Sequence, residues 1–174
     1  RSFYATFYGD CMTIQPLYMW AGGKRKLLSF YETIWPQSHY DTYIEPFFGG
    51  GAVFCWLHNS ERLRETVLGD VNVELMGLLS AIKTSPESFL HEATVLVDQY
   101  LLLQTKEARK AWYYQQRQRY WETPSPGLLF VLMRLGFNGI WQTCAASNGL
   151  FGTPAGLLNQ TTAGQIVDAA SVSA

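Results

Sequence analysis

Three consecutive glycines close a short β-branched run that carries an acid: Thr42-Tyr43-Ile44-Glu45-Pro46-Phe47-Phe48-Gly49-Gly50-Gly51. This junction constrains the chain more than any other stretch. Ala52-Val53-Phe54-Cys55-Trp56-Leu57 then opens a helical pattern, so the local order is strand, glycine turn, helix. That order forms the first half of a nucleotide-binding βαβ unit. Its glycines admit close backbone approach, and the helix N-terminus presents unpaired N–H groups. A plain αβ turn carries glycines too, so the triplet alone leaves both readings open.

A second stretch narrows them. Thr66-Val67-Leu68-Gly69-Asp70 reads as another apolar strand ending in an acid, about 20 residues beyond the glycines. A carboxylate at that spacing sits at the tip of the second strand and can accept both hydroxyls of a ribose. The phosphate-binding spacing G-x-G-x-x-G is missing, and so is a P-loop lysine. An adenosine ligand without a pyrophosphate, S-adenosylmethionine, therefore fits better than NAD or ATP.

The chain has 174 residues, enough for one domain with a sizeable core, and 48% hydrophobic with 15% aromatic residues marks a globular class. With a formal net charge of -1, any nucleic-acid partner must be held by a local basic face. Cys11, Cys55 and Cys144 are scattered, without metal-ligand spacing. Such a set argues against a zinc site or a disulfide framework and suits a reducing cytoplasm. The longest apolar run, 128–133, is far too short to span a bilayer. No signal peptide is visible, and a start at Arg1 rather than methionine reads as a trimmed N-terminus.

Residues 1–19 are aromatic and irregular and carry little signal. Trp20-Ala21-Gly22-Gly23-Lys24 then leads into a helical pattern at Leu27, Phe30, Tyr31 and Ile34 that Pro36 ends. Lys24 at a helix start opposes the macrodipole, so it either faces an anion or belongs to a solvated basic turn. An amphipathic helix is expected over 71–83, then another from Ser85 as N-cap with Pro86 in first position. The helix expected over 105–122 interleaves Lys106, Arg109, Lys110, Arg117 and Arg119 with tryptophans and tyrosines. It suits phosphate contact or an ordinary solvated face. A buried helix over 128–135 precedes Gly136, after which Asn148-Gly149 marks a tight turn in a projecting hairpin or loop. A two-stranded ribbon of this kind fits a DNA major groove. His39, His58 and His91 read as surface residues.

Taken together the pieces resemble the Dam-type DNA adenine-N6 methyltransferases. The matching stretches are Trp20 to Lys24, Glu45 to Gly51, Gly69-Asp70-Val71-Asn72, Arg134-Leu135-Gly136-Phe137-Asn138-Gly139 and Gly149-Leu150-Phe151-Gly152-Thr153-Pro154. The resemblance implies an α/β fold: a Rossmann-like methyltransferase sheet, incomplete here, with a helical and β-hairpin target-recognition insert. Residues 1–84 would be the cofactor-binding part, 85–160 the insert, and 161–174 the return to the catalytic domain. By the same resemblance, Trp20, Lys24, Glu45, Phe47, Gly49, Gly50, Gly51 and Asp70 would hold S-adenosylmethionine. Arg134, Asn138, Gly139, Gln142, Asn148 and Pro154 would contact double-stranded DNA in the cytoplasm of a bacterial or phage-infected cell.

The sequence departs from the family in two places. Gln142 stands where the family commonly has arginine, and Leu157 lies where another basic residue is common. Arginine favours guanine and glutamine adenine, so a GATC target does not carry over. The family's catalytic tetrapeptide, Asp-Pro-Pro-Tyr, is nowhere in the chain. The stretch 165–174, small and weakly apolar, is a poor domain ending. The sequence therefore reads as the N-terminal portion of a longer methyltransferase. The alternatives are a non-catalytic binding module or a split enzyme completed by a second chain.

Overall fold

The structure is a computed structural model that describes residues 6–8, 11–36 and 40–156. His39, Leu157 and the stretch 165–174 lie outside the described residues. β1 (Thr6–Tyr8) pairs antiparallel with β2 (Cys11–Thr13). A 3-10 turn, Lys24–Leu27, runs into α1 (Leu28–Ile34). β3 (Thr42–Glu45), α2 (Ala52–Asn59) and β4 (Glu65–Leu68) form a βαβ unit, followed by α3 (Val73–Thr84). The remaining helices are α4 (Pro86–Leu101), α5 (Lys106–Glu122) and α6 (Pro126–Leu135).

β3 and β4 pair in parallel, with Ile44 opposite Val67 and Glu45 opposite Leu68. Alternation then divides the strands by face. Glu45 is buried, whereas Ile44 and Val67 are 64% and 50% exposed. The pairing outlives the strands: Gly69 N donates to Glu45 O (2.8 Å) and Phe48 N to Gly69 O (2.9 Å). The glycine turn is therefore held in register with the end of β4.

The core runs without a break from Ile14 to Phe151. α6 is apolar all round and buried on every side from Gly127 to Met133, as expected of a helix with no solvent face. α3, α4 and α5 pack around it, so residue 85, where the insert would begin, lies between two helices that share this core. At the α6 N-terminus, Glu92 of α4 accepts from Ser125 Oγ (2.5 Å) and from Gly127 N (3.0 Å). A carboxylate there satisfies open donors and complements the helix dipole.

Local signals explain most boundaries. Asn72 Oδ1 accepts from Leu75 N (3.0 Å) and caps α3. Thr105 Oγ1 does the same for α5 through Ala108 N (3.1 Å). Ser85 and Pro86 open α4, although Ser85 makes no side-chain cap bond. Because Asn72 is the cap, Val71 falls outside α3 and is 91% exposed instead of packing on the sheet. The apolar spacing of α1 is present but uncovered: Phe30 and Ile34 are 57% and 58% exposed.

The segment after Gly136 doubles back antiparallel without forming a ribbon. Its described pairing consists of two isolated bridges, Gly136 with Ala155 and Thr143 with Phe151. Short 3-10 turns, Phe137–Gly139 and Ala145–Ser147, interrupt it. α5 anchors its base. Arg117 lies over the rings of Tyr114 and Trp121 (4.6 and 4.9 Å) and donates to Gly152 O (2.8 Å). Trp121 Nε1 donates to Phe151 O (2.9 Å), and Tyr113 Oη to Thr153 O (2.9 Å). Glu74 of α3 accepts from Phe151 N (3.0 Å) and Tyr120 Oη (2.5 Å).

Burial holds several tyrosines well above their ordinary pKa of 10.0, notably Tyr18, Tyr113 and Tyr120, the last also through its bond to Glu74. The folded state favours the neutral phenol, so this stability is fully present below the unfolded pKa and is lost as pH rises above it. We predict that these tyrosines ionise only together with loss of the helical circular-dichroism signal, starting near about pH 10. Following absorbance at 295 nm alongside ellipticity checks this, since early ionisation with ellipticity intact would place these phenols in solvent.

Candidate functional site

The turn between β3 and α2 gathers the predicted cofactor residues into one place. Gly49 and Gly51 both have positive φ (54° and 71°), backbone that side chains disfavour and glycine adopts freely. Space is limiting as well. A Cβ on Gly50 would lie 2.8 Å from the Trp20 Cβ, and one on Gly49 would lie 3.0 Å from Trp20 Nε1. A Cβ on Gly51 would enter the Phe48 ring. Trp20 thus lies directly against the turn, and only glycines leave room for it.

Asp70 fixes the turn from the β4 side. Its Oδ2 accepts from Gly49 N (2.8 Å) and its Oδ1 from Asn72 N (3.0 Å). One carboxylate therefore joins the glycine turn to the start of α3. Tyr18, which the sequence reading passed over, adds a third tether by donating from its hydroxyl to Gly49 O (3.0 Å). No periodicity or spacing marks Tyr18 for this role.

Lys24 has its anion. Nζ donates to Glu45 Oε1 (3.0 Å) and to Phe47 O (2.7 Å), which accounts for a cation placed at a helix start. Glu45 is only 6% exposed, so the pair is desolvated on the acid's side. Its other oxygen, Oε2, is buried, and the Tyr43 hydroxyl hydrogen-bonds the same carboxylate. Burial raises the pKa of the neighbouring Tyr43 hydroxyl, and the Glu45 carboxylate raises it further. Phe47 beside them is 75% exposed.

The predicted DNA-contacting residues divide into two groups. Asn138, Gln142, Asn148 and Pro154 are exposed on the 136–156 segment, with Asn138 and Asn148 in left-handed backbone. Arg134 and Gly139 turn inward. Arg134 Nη1 donates to Leu17 O (3.0 Å), and burial lowers its guanidinium pKa. A Cβ on Gly139 would lie 2.8 Å from the Met19 carbonyl. On α5, Arg109 is likewise buried, donating twice to Leu103 O (3.0 and 2.8 Å), while Lys106 and Lys110 remain exposed. Among the described residues no group of His, Cys, Asp and Glu is arranged to hold a metal ion, and no helix is long and apolar enough to cross a membrane.

Removing one partner of a buried ion pair leaves an uncompensated charge. Lys24 is 36% exposed and Glu45 6%, so Lys24→Met strands a buried carboxylate at the edge of solvent. It is therefore expected to destabilise the fold by about 1–2 kcal/mol. Adding Glu45→Gln should recover part of the loss, and denaturant unfolding of the two single variants and the double variant measures the coupling. Strictly additive losses would mean that Lys24 and Glu45 act independently.

Among relatives, the type II methyltransferase M.MjaIII of Methanocaldococcus jannaschii is 34% identical over 110 residues, covering 61% of this chain and 38% of that protein. The type II methyltransferase M1.LlaDCHI of Lactococcus lactis is 27% identical over 153 residues, covering 83% and 49%. A DNA adenine methylase of Vibrio cholerae is 29% identical over 125 residues, covering 70% and 41%. The chain spans about half the length of these relatives or less. Residues 20–156, which include every residue of the glycine-turn site except Tyr18, match the family model throughout, and the chain belongs to the D12 class N6 adenine-specific DNA methyltransferases.

Proposed function

We propose that the full-length protein transfers a methyl group from S-adenosylmethionine to adenine N6 in duplex DNA, with the glycine turn as the cofactor's cradle. The observation that carries this reading is the buried Glu45 carboxylate, held by Lys24, beside a turn that Asp70 and Trp20 keep in shape. A carboxylate offers about four lone-pair sites, so an ammonium group of a ligand would share it with Lys24.

The residues present fit an amino-acid nucleoside. Lys24 Nζ has three donors and gives two to Glu45 and Phe47, which leaves one for a carboxylate. Each Asp70 oxygen accepts one backbone N–H and has a further lone pair for a ribose hydroxyl. Phe47 offers an exposed ring, and the Gly49, Gly50 and Gly51 backbone admits close approach. When bound, S-adenosylmethionine supplies an electrophilic methyl group. The chain's own residues hold and orient the donor and keep the turn rigid.

In this reading β3 and β4 begin a Rossmann-like sheet, and residues 85–160 form the recognition insert. The exposed Asn138, Gln142, Asn148 and Pro154 would face DNA, with Gln142 suited to bidentate pairing with adenine. Arg134 and Gly139 would act from behind the loop rather than on the bases. The Vibrio cholerae relative is named a DNA adenine methylase, in keeping with this assignment. Because Asp-Pro-Pro-Tyr is absent from these 174 residues, the reaction is assigned to the full-length protein. A split enzyme with the tetrapeptide on a second chain is the other arrangement, and it predicts activity only on mixing the two chains.

The test is methyl transfer from labelled S-adenosylmethionine to adenine-containing duplexes by the full-length enzyme. Label is expected at adenine N6, and a verified full-length enzyme that transfers none to any such duplex contradicts the proposal. Asp70→Ala should weaken cofactor binding by about 2 kcal/mol or more, over tenfold, through two lost ribose hydrogen bonds and the released tethers of Gly49 N and Asn72 N. An unchanged dissociation constant would place the cofactor elsewhere.

A further inference from the structure

Residues 17–20 are gripped from two sides. On the loop side, Arg134 holds the Leu17 carbonyl, Gly139 abuts the Met19 backbone, and the Trp141 ring lies 5.9 Å from the Trp20 ring at an interplanar angle of 42°. On the other side, Tyr18 donates to Gly49 O, and the Trp20 side chain lies against Gly49 and Gly50. Trp141 itself packs edge-on to Phe151 (5.1 Å), which Glu74 and Trp121 tie to α3 and α5. A continuous aromatic row, Tyr18, Trp20, Trp141 and Phe151, thus runs from the glycine turn to the base of the exposed loop.

We propose that Trp141 is a positioning residue for the cofactor cradle: by holding Trp20 against the glycine turn it makes cofactor affinity depend on how the 136–156 loop is seated. This rests on the reading of that turn as the cofactor site. Trp141 touches no predicted cofactor atom. It acts through Trp20, which sits where a Cβ on either of two glycines would collide with it. Close-packed rings cannot shift independently, so a loop that moves on engaging DNA moves Trp141 and then Trp20. Its neighbour Gln142 is exposed on the same loop, which puts a DNA-facing residue one position from the cradle's support. Coupling of this kind is reciprocal: DNA tightens the cofactor by the factor by which the cofactor tightens DNA.

The test uses the full-length enzyme and S-adenosylhomocysteine as the probe, titrated calorimetrically with and without an adenine-containing duplex. The wild type should bind the probe more tightly with the duplex present. Trp141→Leu is expected to weaken the probe about three- to tenfold, the range set by aromatic pair energies, and to remove the effect of the duplex. Trp141→Phe keeps a ring against Trp20 and should stay within about twofold of wild type. A Leu variant that matches wild type in both titrations overturns the proposal. Equal losses in the Leu and Phe variants, accompanied by equal drops in melting temperature, also overturn it, because they describe a merely structural residue. Failure of the wild type to bind the probe at all would remove the cofactor reading itself, a result distinct from either of these.

Discussion

The Asp70 carboxylate is the point from which the site is built. Its two oxygens take one backbone N–H from the glycine turn and one from the residue that caps α3. Without them, two backbone donors at chain reversals would lose their acceptors. The β3–β4 pairing places this acid opposite the turn, because the ladder continues past the strand ends through Gly69 and Phe48. Register therefore sets the geometry here: a one-residue slip in β4 would turn Asp70 away from Gly49 and invert the faces of β4. Lys24 and Glu45 then close the other side, with the acid buried.

The exposed loop depends on the same frame. Its base is fastened by Arg117, Tyr113 and Trp121 of α5 and by Glu74 of α3, all acting on backbone between Phe151 and Thr153. Its inner edge is fastened to residues 17–20 through Arg134, Gly139 and Trp141. The predicted recognition residues lie between these fastenings, exposed and in backbone that a strand ladder does not constrain. One row of rings, Tyr18, Trp20, Trp141 and Phe151, joins the glycine turn to this loop.

Much of this was legible in the residues. The β-branched run before the glycines, the second run ending in Asp70, and Pro86 in first helical position each carry a local mechanism, and the elements follow them, although Ser85 makes no side-chain cap bond. Charge was harder to read. Arg109 and Arg117 read as part of a basic face and Arg134 as a DNA contact, yet all three donate to backbone carbonyls, Arg117 while lying over two rings. Nothing local distinguishes a guanidinium that serves a carbonyl from one that serves a phosphate. The loop was read as a hairpin or loop from Asn148-Gly149, and its turn is there, but two isolated bridges stand in place of strands. Tyr18 and Trp141 carry no pattern at all, since their roles arise from contacts between segments far apart in sequence.

The most direct test of the cradle is photochemical crosslinking of methyl-labelled S-adenosylmethionine to the full-length protein, followed by peptide mapping. Cofactor seated on the glycine turn predicts label on the peptides bearing Trp20 and Phe47, suppressed by excess unlabelled cofactor. Competable label confined to α5 or to the 136–156 loop, with none on those two peptides, would contradict the account.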